Sequence, residues 1–172
     1  MPILRVHSSD ELEVRECESA RCQIAECRDA LRRLALERLG CARDNQPYIV
    51  PIYFAYESDR LYGFATFGKK IDWMRSNSRV CVQADEVLSN DNWISIAVLG
   101  RYEELSDTPA YASERGKAQS LLKKRSVWWQ TGCVASNVRS QSETPSPAFY
   151  CVRIEEISGL RASAQGGPVR VR

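Results

Sequence analysis

Histidine is almost missing from this chain. His7 is the only one in 172 residues. A Ser-His-Asp triad, a histidine general base in the body of the chain and a multi-histidine metal site are thereby set aside, and no metal is expected. No Cys-x-x-Cys occurs among the seven cysteines, Cys17, Cys22, Cys27, Cys41, Cys81, Cys133 and Cys151. Their odd number indicates neither a disulfide framework nor a zinc knuckle, and they read as reduced thiols. Cys17, Cys22 and Cys27 are evenly spaced. On a helix each such step turns by about 140°, so the three are not expected to share a face. There is also no block of like charge. With 24 basic and 22 acidic residues the net charge is +2, which does not suggest nucleic-acid binding. No apolar run approaches the ~20 residues that span a bilayer. The start, MPILRVHSSDELE, lacks the apolar core of a signal peptide, so no membrane partner is expected and the chain reads as cytoplasmic.

An apolar fraction of 44% is that of a folded protein, and the length suits one domain with a core of its own. Ser8-x-x-Glu11 reads as a capping box opening a weak helix with Leu12 and Val14. A better helix runs from Gln23 to about Leu34, with Ile24, Cys27, Leu31 and Leu34 at helical spacing. Strands follow at Leu36–Ala42, Tyr48–Tyr56, Arg60–Ala65, Arg79–Glu86, Trp93–Leu105 and Ala148–Ile157, rich in β-branched and aromatic residues. Arg43 to Gln46, Glu57 to Asp59 and Leu88 to Asn92 read as turns. Pro51 marks an edge or a bulge, because it cannot donate to a ladder. Lys69 to about Ser76 is a short helix, and Pro109 opens another that runs to about Arg125. Val127 to Pro147 reads as irregular and the tail from Ser163 as disordered. Close spacing and short turns favour a mainly β fold, a six-stranded antiparallel barrel with peripheral helices.

The most informative stretch is QPYIVPIYFAYESDRLYGFATFGKKID, from Gln46 to Asp72. A strand, a tight turn and a second strand run into Gly68-Lys69-Lys70 at a helix start. Backbone N–H groups there favour a phosphate, Gly68 permits close approach, and Thr66, Lys69 and Lys70 add a hydroxyl and two charges. Two lysines at a helix start also read as a solvated surface. Main-chain groups from Ile49 to Phe54 suit the hydrogen-bonding edge of a flat ring, and a plain core strand would have the same composition. Trp128-Trp129 follows the basic run Lys123-Lys124-Arg125. It reads either as a lid or stacking platform over an aromatic substrate or as ordinary packing, and the basic run as a solvated helix end.

This stretch, continued through Val87, resembles the FMN-binding split barrel of the pyridoxamine 5'-phosphate oxidase-like superfamily. The nearest branch is that of small flavin-nucleotide-binding proteins that includes the nitroimidazole-resistance proteins. Trp93-x-Ser95-Ile96, Gly100-Arg101-Tyr102-Glu103-Glu104-Leu105 and Ile157-Ser158-Gly159-Leu160-Arg161-Ala162 extend the likeness. The resemblance implies a split-barrel domain over residues 23–162, between an extension (1–22) and a tail (163–172). It implies a homodimer with FMN at the interface. The ring would lie on Pro51, Ile52, Tyr53 and Phe54. The ribityl chain and phosphate would meet Phe64, Ala65, Thr66, Lys69 and above all Lys70. Trp93 and Ser95 would reach the flavin from the neighbouring side, with Arg101, Trp128 and Trp129 toward a small-molecule substrate. A flavin-dependent oxidoreductase is the implied activity, and a non-catalytic FMN-binding or redox-sensing protein the alternative. A haem-handling relative would find no histidine ligand in the matched region. Leu61-Tyr62 is followed by Gly63-Phe64, without the histidine common in the nitroimidazole-resistance branch, and the oxidase's Arg-x-His is missing. Neither nitroimidazole reduction through that group nor pyridoxine phosphate oxidation is therefore expected.

Overall fold

The computed structural model describes residues 3–4, 14–15, 19–125 and 148–163. Short strands β1 (Ile3–Leu4) and β2 (Val14–Arg15) pair with each other, and β3 (Ser19–Arg21) follows. Val14 therefore lies in a strand and not in the expected helix, since two apolar residues give a helix little face to bury. Ser8 and Glu11 lie outside the described residues. Next come α1 (Ile24–Arg33), β4 (Leu36–Arg43), β5 (Gln46–Glu57), β6 (Arg60–Ala65), α2 (Lys69–Ser76), β7 (Arg79–Ser89) and β8 (Asn92–Glu104). A single 3-10 turn at Pro109–Tyr111 leads into α3 (Ala112–Lys123), and β9 (Ala148–Ala162) is the last strand. From α1 to β9 the expected elements stand within a few residues of their places. The β7–β8 turn is tighter than expected, because the strands pair as far as Ser89↔Asn92. Strand β9 runs on past Ile157 because β8 pairs with it all the way to Ala162.

All pairings are antiparallel, in the order β9-β6-β5-β4-β7-β8, and β8 closes back onto β9. That ring is the six-stranded barrel, and β3 adds a short strand beside the end of β9. The ring closes where β9 skips a residue opposite Leu99 and Gly100. A Cβ at Gly100 would lie 2.4 Å from the Arg153 carbonyl oxygen, so only glycine lets the strands approach there. Two hairpins use two-residue turns with positive φ at both positions, Asp44-Asn45 (52° and 60°) and Ser58-Asp59 (52° and 56°). That backbone matches the right-handed twist of the strands.

Inward residues alternate along the strands, among them Leu39, Cys41, Ile52, Phe54, Val82, Ile96 and Val98. Helix α1 adds Cys27, Ala30 and Leu31 from one face, and α2 adds Ile71, Trp73 and Met74. Helix α1 is tied to the β5–β6 turn by a two-pronged pair, Arg28 Nε and Nη2 on Asp59 at 2.9 and 3.0 Å. A second apolar cluster lies under α3, where Tyr62, Leu105, Ala118 and Cys151 meet. The basic run after α3 is not simply solvated. Arg125 turns back and donates to the Arg32 carbonyl at 2.7 Å and to that of Leu34, capping the end of α1.

One carboxyl is buried inside the wall. Glu37 is 3% exposed, and its Oε2 accepts the Asp85 N–H at 3.2 Å. Burial pushes its pKa up to about 7, with the nearby Asp85 charge adding to the rise. A raised carboxyl pKa means that the folded state holds the proton more tightly than the unfolded chain. Its stabilising effect is complete below the ordinary pKa near 4.5 and is lost as pH rises through about 7. Glu37→Gln should therefore match the parent near pH 4.5 and be more stable by about 2–3 kcal/mol at pH 8. Urea titrations at both pH values check this, and equal stabilities at pH 8 would mean that the carboxylate is accommodated without cost.

Candidate functional site

The site begins where two strands part. Strand β6 pairs with β5 from Glu57↔Arg60 only as far as Phe54↔Gly63. The next residues in register, Tyr53 and Phe64, flank the split. From Gln46 to Tyr53, β5 keeps β4 as its described partner on one side alone. The closing hairpin pair Arg43↔Gln46 sets the alternation, so Pro47, Ile49, Pro51 and Tyr53 direct their backbone groups away from β4. Both prolines thus occupy places where a missing N–H costs the β4–β5 ladder nothing, and Pro51 marks an edge as expected. The Ile49 N–H and the Ile49 and Pro51 carbonyls point into the split.

The other wall is the run from β6 into α2. Phe64 is half-buried against Phe149, with ring centroids 6.2 Å apart, and Ala65 is buried. Thr66 is exposed. Gly68 precedes α2 in fully extended backbone, and a Cβ there would meet nothing within 4 Å. Among the described residues no side chain caps α2, which leaves the N–H groups of its first turn without an intrahelical acceptor.

The two lysines part company. Lys69 Nζ lies 4.4 Å from the centroid of Tyr48 and 4.5 Å from that of Trp73, an ammonium held between two aromatic faces. Lys70 is half-buried beside Cys41, and among the described residues no carboxylate pairs with it. Burial lowers its pKa, and the Cys41 thiol opposes the change only in part. A cation withdrawn from water without a counter-charge is stabilised by an anion. An ammonium, uncapped helix N–H groups and the Thr66 hydroxyl form a donor set that fits a phosphate. The role of Tyr48 and Trp73 in holding Lys69 was not read from the sequence, because nothing in their spacing joins β5 to α2.

The remaining candidates fall into separate groups. Ile52 and Phe54 point into the core, whereas Pro51 and the half-buried Tyr53 face outward. Only the backbone of Ile52 and Phe54 is available to a ligand. Trp93 and Ser95 are half-buried on the outer face of β8. Strands β4 and β7 lie between them and β5, so they stand ~14 Å away along the sheet, at ~4.8 Å per strand. Trp93 also lines a cleft of about 290 Å³ with Leu88, Arg33 and Arg161. Arg101 is engaged with Glu155 Oε1 at 2.6 Å on the surface of β8. Trp128 and Trp129 lie outside the described residues. A larger cleft, about 480 Å³, lies at the β5–β6 turn, where the Arg28–Asp59 pair already satisfies its main charges. The cradle at the split lines neither cleft, as befits a site with one wall open.

A family model described as pyridoxamine 5'-phosphate oxidase matches residues 23–161. An uncharacterized protein of Rhizobium meliloti (strain 1021) is 45% identical over 124 residues, which are 72% of this chain and 82% of that one. The crystal structure of an FAD-binding protein from Mesorhizobium loti superposes with a TM-score of 0.71 at 40% identity, covering 86% of this chain and 99% of the other. An FAD-binding protein from Mycobacterium smegmatis shares the fold at 21% identity and a TM-score of 0.61, covering 84% of this chain and 98% of its own.

Proposed function

Because the chain belongs to the pyridoxamine 5'-phosphate oxidase family, we propose that it binds FMN at the split between β5 and α2 and acts as a flavin-dependent oxidoreductase on a small molecule. The observation that carries this reading is Lys70, a half-buried cation with no described anionic partner, one helix start away from an open strand edge. Lys70, Thr66 and the first N–H groups of α2 would hold the phosphate. The Ile49 and Pro51 backbone would meet the polar edge of the ring, and Tyr53 and Phe64 would line its flanks. A bound flavin supplies hydride and electron transfer. None of these cradle residues is a histidine or a carboxylate, and their part would be to bind and orient the flavin.

The Mesorhizobium loti relative is described as FAD-binding, which favours a second reading in which the same cradle takes FAD. A flavin-binding protein without turnover remains the alternative to the oxidoreductase. Bleaching of the bound flavin by NAD(P)H under anaerobic conditions separates the two.

The reading includes a homodimer. The outer face of β5-β4-β7-β8-β9 carries exposed Leu36, Ile49, Leu99 and Leu160 with Pro51 and Ala97 among them. The strand register sets Ile49, Gly40, Cys81 and Leu99 in one row, and Pro51, Arg38, Gln83 and Ala97 in the next. Such a face is unusual on a monomer. A second copy laid against it would bring its own Trp93 and Ser95 toward the split, across the ~14 Å that separate them within one chain.

Lys70→Ala should weaken flavin binding by more than tenfold, whereas Lys69→Met, which keeps the packing between Tyr48 and Trp73, should weaken it less. Titration by fluorescence quenching, followed by chromatography of the released cofactor, gives affinity and identity together. Equal flavin occupancy in Lys70→Ala and parent would remove the phosphate assignment. Light scattering should report about twice the chain mass of 19.5 kDa. A monomer that still binds flavin tightly would overturn the shared site.

A further inference from the structure

Cys22 and Cys27 were not expected to share a face, yet they meet, because Cys22 precedes the helix and the helical rotation does not apply to it. Gln23 caps α1, and its N–H donates to Glu26 Oε2 at 2.8 Å. A reciprocal cap of this kind folds the residue before it onto the fourth residue of the helix, where two apolar side chains usually form a staple. Here both staple positions are cysteines. They crowd onto Gly159 of β9. A Cβ at that glycine would lie 2.7 Å from Cys27 Sγ and 3.0 Å from Cys22 Cβ. The Cys22 N–H donates to the Gly159 carbonyl at 2.9 Å, which fixes the niche on the barrel wall. Cys27 is 1% exposed, Cys22 is partly open, and the Cys22 thiol donates to Glu26 Oε2 at 3.6 Å. Both are free thiols, one behind the other.

We propose that Cys22 and Cys27 are a dithiol that closes reversibly to a disulfide, a redox modification site at the start of α1 whose oxidant is a small disulfide of the glutathione type. The Cys22 thiolate, the accessible one, attacks a sulfur of the oxidant, and the S–S bond breaks to release one small thiolate. The Cys27 thiolate then attacks the Cys22 sulfur of the mixed disulfide, forms the Cys22–Cys27 bond and releases the second. Two protein thiols are oxidised, one external disulfide is reduced, and the two protein protons pass to the released thiolates. Burial first, then the Cys27 and Glu26 neighbours, together push the Cys22 thiol up to about 12, so the first attack is slow at neutral pH. Closure pins the start of α1 against Gly159, which pairs with Ile96, the residue after Ser95.

The full-length protein is incubated with glutathione disulfide at pH 8.5, quenched with N-ethylmaleimide in urea and cut with trypsin. Cleavage after Arg21 and Arg28 puts both cysteines in the single peptide CQIAECR. The expected product is that peptide two hydrogens lighter and free of maleimide. In glutathione redox buffers the folded chain should hold the bond at least tenfold more strongly than the chain in urea, which is about 1.4 kcal/mol. In Cys22→Ser, Cys27 should be recovered fully labelled. Maleimide on both parent cysteines, glutathione retained on Cys22, a bond from either to Cys17, or equal closure in urea would each overturn the proposal.

Discussion

The pairing of β5 with β6 ends after four residue pairs, and the candidate site exists because it ends there. A fully closed ladder would leave no backbone donor or acceptor for a ligand, and a strand edge without a second described partner strand would invite association with other strands. The chain manages that edge with Pro47 and Pro51 at alternate positions, which remove N–H groups from the open side and leave the β4 ladder whole. The chain leaving β6 then runs into α2, whose Lys69 reaches the ring of Tyr48 on β5.

Two buried ionisable groups show how differently the barrel treats charge. Glu37 is enclosed by the wall with one backbone donor and Asp85 nearby, and the protein keeps it protonated over part of the ordinary pH range. Lys70 is half-buried beside Cys41, and among the described residues no carboxylate pairs with it. The first is a cost of the fold that glutamine would remove. The second is a cation drawn partly out of water with no carboxylate beside it among the described residues. Lys69 sits one residue earlier and is held by aromatic faces, so adjacent lysines are given separate tasks.

The outer sheet face carries apolar side chains on several strands. Exposed apolar residues on β4, β5, β8 and β9 lie in register across a face that also carries Tyr53, Ser95 and Trp93. Within one chain these side chains cannot converge, since a β-sheet holds its strands at fixed spacing. Among the described residues no helix is long and apolar enough to cross a membrane.

The sequence by itself determined the order of elements from α1 to β9, the two tight hairpins, the prolines of an edge strand and the lysines at a helix start. These are local matters of alternation, turn chemistry and capping, and they act within a few residues. Only the tertiary structure decided which lysine is withdrawn from water, that Tyr48 and Trp73 enclose the other, that Arg125 turns back to cap α1, and that Glu37 is buried. Each depends on pairing between distant segments, and no periodicity in the chain encodes it. The two staple cysteines lie between these cases. Their spacing is plain in the sequence, but the sense of that spacing depends on where the helix starts, which the cap at Gln23 and the approach of Gly159 decide.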